Sequence, residues 1–371
     1  RIKQLGLTNV VYPGAQHTRF QHSLGAFHLT SEAILSLTQK GVFIFESEAE
    51  AVQAAILMHD IGHGPFSHVL ENTLIHGISH EEISLMMMNE INHDLGDNLT
   101  LAIKIFKDEY PKRFLHQLIS SQLDMDRLDY LRRDSFFTGV TEGNIGSARI
   151  IKMLNVVDDN LVVDSKGIYS IENYLTSRRL MYWQVYLHKT TVGYEKLLVN
   201  LLSRAKYLAD QGETVFATPA LHYFLYNHID KEAFVDNAEP LQHYKMLDDS
   251  DIWASVKAWT THRDPILSLL SRNLIDRRIF KVEVRSTAVE EAEVMDIRHQ
   301  IAQRYGLSFD DTAYLVNVST IRKDMYDIHD DHISILYKDG TIKDITEASE
   351  ILNISLLSKK ICKYYLCYQR F

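Results

Sequence analysis

Residues 59–68 read HDIGHGPFSH and follow directly on the apolar run AVQAAILM at 51–58. Glu46, Glu48 and Glu50 precede that run, and acidic residues suit the positive end of a helix. Together they predict a buried helix from about Ser47 to His59. Gly62, Gly64 and Pro65 stop it. Adjacent residues inside a helix point about 100° apart. His59 and Asp60 therefore converge on one point only where the helix ends and the backbone turns. Buried polar groups and charges without partners are costly. The stretch needs a partner that accepts imidazole nitrogen and carboxylate oxygen together. A mixed N/O donor set favours Mn, Fe, Co, Ni or Zn over a pure Mg or Ca site. Two ligands do not complete a site, so others must come from elsewhere in the chain.

Two flanking stretches qualify. In HTRFQH, residues 17–22, Arg19 and His22 are three apart and share a helix face. A guanidinium beside a metal ligand suits a phosphate substrate: one group forks onto the anion, the other holds the Lewis acid. In SSQLDMDRLDYLRRDSFFTG, residues 120–139, Asp126, Tyr130 and Asp134 recur every four residues on one side of a helix, with Arg127 beside them. Asp129 and Arg133 read as an ordinary i, i+4 ion pair on a solvated face. Met86–Met88 reads as core packing.

The 371 residues are enough for one large domain or two to three smaller ones. The first 280 are mostly helical in pattern: Thr18–Leu37, Ser79–Asn89 with Ser79 as N-cap and Glu82 three residues on, at least two helices in Leu99–Arg133, a long one over Ile171–Ala209, and Trp253–Asp276. LVVDSKGIYS, residues 161–170, predicts a hairpin turning at Ser165-Lys166-Gly167. From about residue 280, KVEVRS, AYLVNVS, HISILY and KYYLCYQRF alternate like strands, with helical patterns between them. The expected fold is mainly α with a smaller α+β C-terminal domain, divided into 1–210 (catalytic core), 211–280 (helical extension) and 281–371.

The formal charge of −10 argues against a surface built to coat nucleic acid or anionic lipid, while leaving room for a local basic pocket. Cys362 and Cys367 are too few for a disulfide framework and read as reduced thiols. No apolar run reaches membrane-spanning length. A cytoplasmic protein is the expectation. The sequence opens on Arg1, so a start inside a longer gene product is expected.

IKQLG (2–6), YPGAQHTRFQHSLG (12–25), HDIGHGPFSH (59–68), SHEEIS (79–84), DMDRLDYLRRD (124–134) and YLTSRRLMYWQVYLHK (174–189) together resemble the HD-domain metal-dependent phosphohydrolases. The match is closest to the deoxynucleoside triphosphate triphosphohydrolase branch. It runs in the family's order over about the first 210 residues. The resemblance implies a helical HD core with a divalent transition metal, with or without Mg, on His22, His59, Asp60 and Asp126. It implies His63, His68 and His80 near the substrate phosphates, with His68 as general acid and Glu71 and Glu81 as orienting carboxylates. Arg19, Arg127 and Arg178 match phosphate-binding positions. Arg127 replaces a lysine of the mammalian enzyme, which keeps the charge and changes its geometry. Gln4, Leu5, Tyr130, Asp134 and Tyr186 match positions contacting sugar and base, and Tyr130, Asp134 and Tyr186 match those by which the family senses the 3′-hydroxyl and excludes a 2′-hydroxyl. Tyr182 stands where the mammalian enzyme has His, and this bears on sugar discrimination.

The implied reaction is attack of metal-activated water at the α-phosphate, releasing nucleoside and triphosphate. Two other readings stand beside it: a phosphomonoesterase or phosphodiesterase acting on another nucleotide, and a nucleotide-binding regulatory protein with little turnover. The implied partners are a nucleotide substrate and further copies of the chain, as dimer or tetramer, with no membrane and no extended nucleic acid.

Overall fold

The structure is a computed structural model. It describes residues 1–66, 68–71, 73–323, 326, 332–349 and 361–371, and for His68 and Lys323 the backbone alone. The helices are α1 Arg19–Gln39, α2 Glu46–Met58, α3 His68–Glu71, α4 His80–Asp94, α5 Thr100–Phe106, α6 Arg113–Gln117, α7 Met125–Thr138, α8 Ser147–Met153, α9 Ile168–Met181, α10 Lys189–Asp210, α11 Pro219–Tyr226, α12 Lys231–Asp236, α13 Glu239–Met246, α14 Asp249–Trp259, α15 Pro265–Ile275, α16 Glu291–Tyr305 and α17 Ile345–Ala348. The strands are β1 Ile75–His76, β2 Leu154–Val157, β3 Asn160–Asp164, β4 Ile229–Asp230, β5 Lys281–Arg285, β6 Val316–Lys323, β7 Ser334–Leu336, β8 Ile342–Asp344 and β9 Ile361–Tyr368. The mainly α architecture with a mixed α/β C-terminal part matches the expectation.

Local chemistry sets the helix starts that matter. Thr18 and Gln21 form a capping box on α1, and Ser79 and Glu82 form one on α4. Asp124 caps α7 by accepting from the Arg127 amide. Gly139, at φ 74°, ends it in the left-handed region.

Two apolar cores result. One gathers α1, α2 and α5–α9 with β2 and β3. The other is built around α10 with α3, α4, α11, α14, α15 and the sheet β5–β9–β6. β9 is central in that sheet and antiparallel to both neighbours. The C-terminal strands are divided between the cores. β7 pairs in parallel with β3, in a four-stranded order β2–β3–β7–β8, and Ile335 and Ile345 are buried in the first core.

Two local expectations are corrected. The β2–β3 hairpin turns at Asp158-Asp159, both at positive φ (48° and 58°), in the arrangement that matches strand twist. Ser165–Gly167 is instead a short 3-10 turn leading into α9. The long helix over 171–209 is broken. After α9 the chain runs through a π-helical segment, Tyr182–Tyr186, and restarts at α10 with His188 as its cap. Among the described residues no helix is long and apolar enough to cross a membrane.

Candidate active site

The seam between the two cores carries the site. From the first core, α1 presents His22, the end of α2 presents His59 and Asp60, and α7 presents Asp126. His22 Nε2 lies 3.0 Å from Asp126 Oδ1, 3.4 Å from His59 Nε2 and 3.9 Å from Asp60 Oδ2. His59 Nε2 lies 3.4 Å from Asp60 Oδ1 and 3.5 Å from Asp126 Oδ1. His22, His59 and Asp126 thus converge on one point, with Asp60 beside them and held by Arg19, all four drawn from the residues the sequence singles out.

What lies behind these groups decides what they can bind. The His59 Nδ1–H donates to the Ile56 carbonyl oxygen at 2.6 Å. The His22 Nδ1–H donates to Asp129 Oδ2 at 2.8 Å. Each ring thereby turns its Nε2 toward the shared point, the arrangement by which an outer partner fixes a metal-ligating histidine. Asp129 is itself held by Arg133, through Nε and Nη2 at 2.8 Å each. The pair read as a solvated ion pair is therefore the support of His22, and Asp129 is buried. The signal was present: Asp126 and Asp129 are three apart and share a helix face. Gly25 makes the approach possible, because a Cβ there would collide with the Asp129 carboxylate and the Arg133 guanidinium.

Charge favours a cation at this point. Burial opposes the charged ring of His22, but hydrogen bonds to Asp126 and Asp129 outweigh it and push its pKa up to about 10. Asp60 is half-buried, which by itself raises its pKa. His59 and Arg19 still hold it well below the usual carboxylate range. Arg19 Nη1 donates to Asp60 Oδ2 at 2.6 Å. A mixed N/O donor set with fixed tautomers fits a divalent transition metal.

Beside this centre lies a cavity of about 610 Å³. Its wall includes Gln4, Leu5, Arg19, His63, His80, Tyr130, Asp134, Tyr182 and Tyr186. Residues 2–4 reach it by pairing with the start of α1. Lys3 bridges Thr18, the Gln4 amide donates to the His17 carbonyl, and the Arg19 amide donates to the Ile2 carbonyl. Asp249 Oδ2 accepts from the Lys3 amide at 3.1 Å and anchors the same segment. Tyr182 and Tyr186 both face the cavity from the π-helical segment, a rare local form that often marks functional positions. Asp134 accepts from the Tyr186 hydroxyl at 2.8 Å and from His17 Nε2 at 2.7 Å.

His63 and His80 stack with ring centroids 3.8 Å apart, and His80 Nδ1 is 3.2 Å from Glu71 Oε1. Burial and the Arg19 charge lower the His63 pKa to about 4, so this ring is neutral near pH 7. Phe66, in the same turn, sits at φ 56° and lines the cavity. A strained non-glycine residue of this kind is common at functional turns.

Other expected residues fall elsewhere. Glu81 is exposed, and Glu71 is the carboxylate that faces His80. Arg127 pairs with Asp124 and Arg178 donates to Gln122 Oε1 at 3.0 Å; neither is in the cavity wall. The side chain of His68 lies outside the described residues. Sequence reasoning passed over His17, Asp129, Phe66, Glu195 and Lys196, the last three in the cavity wall.

The HD domain model matches residues 19–134, and the HD associated region model matches residues 145–214. A phosphohydrolase from Bacteroides thetaiotaomicron VPI-5482, known as a crystal structure, is 66% identical, covers 100% of this chain and 92% of its own, and superposes with a TM-score of 0.97. The uncharacterized protein YwfO of Bacillus subtilis (strain 168) is 33% identical over 100% of this chain and 85% of its own length. The deoxynucleoside triphosphate triphosphohydrolase SAMHD1 homolog of Dictyostelium discoideum is 32% identical over 55% of this chain, which spans 43% of that relative. With the His22, His59, Asp60 and Asp126 cluster seated inside the matched region, the chain belongs to the HD-domain phosphohydrolase family, HD-associated region included.

Proposed function

We propose that this chain is a metal-dependent deoxynucleoside triphosphate triphosphohydrolase that releases deoxynucleoside and intact triphosphate. One observation carries the reading. A single cavity beside the candidate metal centre is lined both by Arg19, His63, His80 and Lys196 and by Tyr130, Asp134, Tyr182 and Tyr186. Cationic and imidazole donors thus share one cavity with aromatic rings and a carboxylate. These are the groups that a polyphosphate and a sugar with its base call for. The relationship to the Dictyostelium enzyme supports the same substrate class.

His22, His59, Asp60 and Asp126 would hold a divalent ion, which supplies Lewis acidity toward a phosphoryl oxygen and lowers the pKa of a water. Arg19 binds a phosphate oxygen and stays aligned through Asp60. His63 and His80 hydrogen-bond the phosphate chain, and Glu71 orients His80. The proton for the leaving 5′ oxygen is assigned to His68. Tyr130 and Tyr186 pack against the sugar, and Gln4 and Leu5 flank the base.

The test is product analysis. Metal-loaded protein is incubated with a mixture of dNTPs and NTPs, and the products are identified by mass spectrometry. Deoxynucleoside plus triphosphate is expected. Orthophosphate, pyrophosphate or a nucleoside diphosphate would place the enzyme in another phosphohydrolase class, and absence of turnover despite bound metal would favour a regulatory binding protein.

Asp129 gives a second expectation. Asp129→Asn weakens the acceptor that fixes His22, and loss of such an outer partner typically costs roughly ten- to a hundredfold in metal affinity. Competition with a chromophoric chelator reads this directly. Unchanged affinity would mean that Asp129 serves Arg133 alone.

A further inference from the structure

His17 stands behind the cavity wall, and three observations single it out. It is buried, and its Nε2–H donates to Asp134 Oδ1 at 2.7 Å. Its ring stacks on Phe137, with centroids 4.5 Å apart and an interplanar angle of 14°. Its Nδ1 has no hydrogen-bond partner among the described residues, so Asp134 alone engages the ring nitrogens. Its carbonyl also accepts the Gln4 amide at 2.9 Å. One residue thus ties together two cavity-lining groups that lie far apart in sequence.

Asp134 needs this support. It is buried on the last turns of α7, where the helix dipole disfavours a negative charge. Among the described residues His17 and Tyr186 are the donors to its side chain. A carboxylate offers about four lone-pair directions. His17 takes one on Oδ1 and the Tyr186 hydroxyl takes one on Oδ2. Both hold the group in a single rotamer while it faces the cavity, which leaves acceptor capacity for a hydroxyl of the bound molecule.

We propose that His17 is a positioning residue for sugar recognition: it locks the Asp134 carboxylate as the acceptor of the substrate's 3′-hydroxyl. This rests on the reading of the cavity as a nucleotide site. His17 touches no substrate atom; it acts through Asp134.

The test compares a dNTP with its 2′,3′-dideoxy counterpart on the metal-loaded full chain, through kcat/KM for each and metal content. The unaltered chain is expected to prefer the 3′-hydroxyl by roughly ten- to a hundredfold, the range for one hydrogen bond to a charged group. His17→Leu should bring the two substrates to within about threefold while metal content is unchanged. His17→Gln, whose amide nitrogen can stand near the position of Nε2, should restore most of the preference. A preference that survives His17→Leu overturns the inference and leaves the hydrolase reading standing. If the unaltered chain turns over neither nucleotide, the hydrolase reading fails and the inference fails with it. If His17→Leu does not fold, Gln and Asn at this position decide: preference kept by Gln and lost by Asn supports the proposal, and equal preference overturns it.

Discussion

Asp126→Ala is expected to lose bound metal and to lower turnover by more than about a thousandfold, because losing even one fixed donor to a developing charge commonly costs a hundred- to a thousandfold. Asp126 Oδ1 lies within reach of both inward-facing nitrogens, 3.0 Å from His22 Nε2 and 3.5 Å from His59 Nε2. Its removal takes away a donor and much of the field that favours a cation there. His59→Ala should behave alike, since its Nε2 lies on the same point and its Nδ1 is committed to Ile56. His80→Ala should separate the functions: full metal content, little turnover. Metal content by plasma mass spectrometry, paired with activity, reads both. Stoichiometric metal in Asp126→Ala or His59→Ala would remove these residues from the ligand set. The pH dependence has a definite sign. His22 is pushed up to about 10, so near neutrality a metal must displace its proton. Affinity should fall as pH falls, by about tenfold per unit.

Gly62→Ala is the second large effect. Gly62 lies where the turn after α2 meets the start of α4. Its amide donates to Ser84 Oγ at 2.9 Å, and Ser84 Oγ donates to the His59 carbonyl at 2.9 Å. The Tyr244 hydroxyl donates to the Gly62 carbonyl at 2.8 Å. A Cβ at Gly62 would collide with the His80 carbonyl and the Ser84 amide, which are backbone atoms and cannot swing aside. The strand of contacts that seats α4 against the metal-side turn must open, and His80 moves with it. Overpacking of this kind typically costs 1–3 kcal/mol, occasionally more, so a drop of at least several degrees in Tm is expected. Activity should fall by more than about a hundredfold even at temperatures where the protein is folded, because a misplacement of about 1 Å can cost that much. Gly62→Ala with unchanged Tm and activity would show that α4 tolerates the shift and that His80 needs no exact seat.

Much of this was legible in the sequence, for definite reasons. The capping box of α4 is local, so Ser79 and Glu82 marked that helix, and apolar spacing placed the start of α1 at Thr18. His59 and Asp60 were readable because polar groups that close a buried apolar helix are costly unless an ion or ligand partners them. What escaped depends on partners distant in the chain. Asp129 looks like half of an ordinary helix pair until the fold brings His22, 107 residues away, onto its carboxylate. His17 had no local signature at all, and its partner Asp134 is 117 residues off. The break between α9 and α10 has no proline or glycine at Leu187-His188 to announce it, and the π-helical segment before it places Tyr182 and Tyr186 in the cavity wall. The division of the C-terminal strands was equally hidden, because alternation marks HISILY as a strand without naming β3 as its neighbour.

The most direct measurement is hydrolysis of a dNTP in water enriched in heavy oxygen, with both products weighed by mass spectrometry and the rate set against bound metal. Attack at the α-phosphate predicts the label in triphosphate, an unlabelled deoxynucleoside, and a rate proportional to metal content. Label in the deoxynucleoside, or in orthophosphate or pyrophosphate instead of triphosphate, would contradict the account.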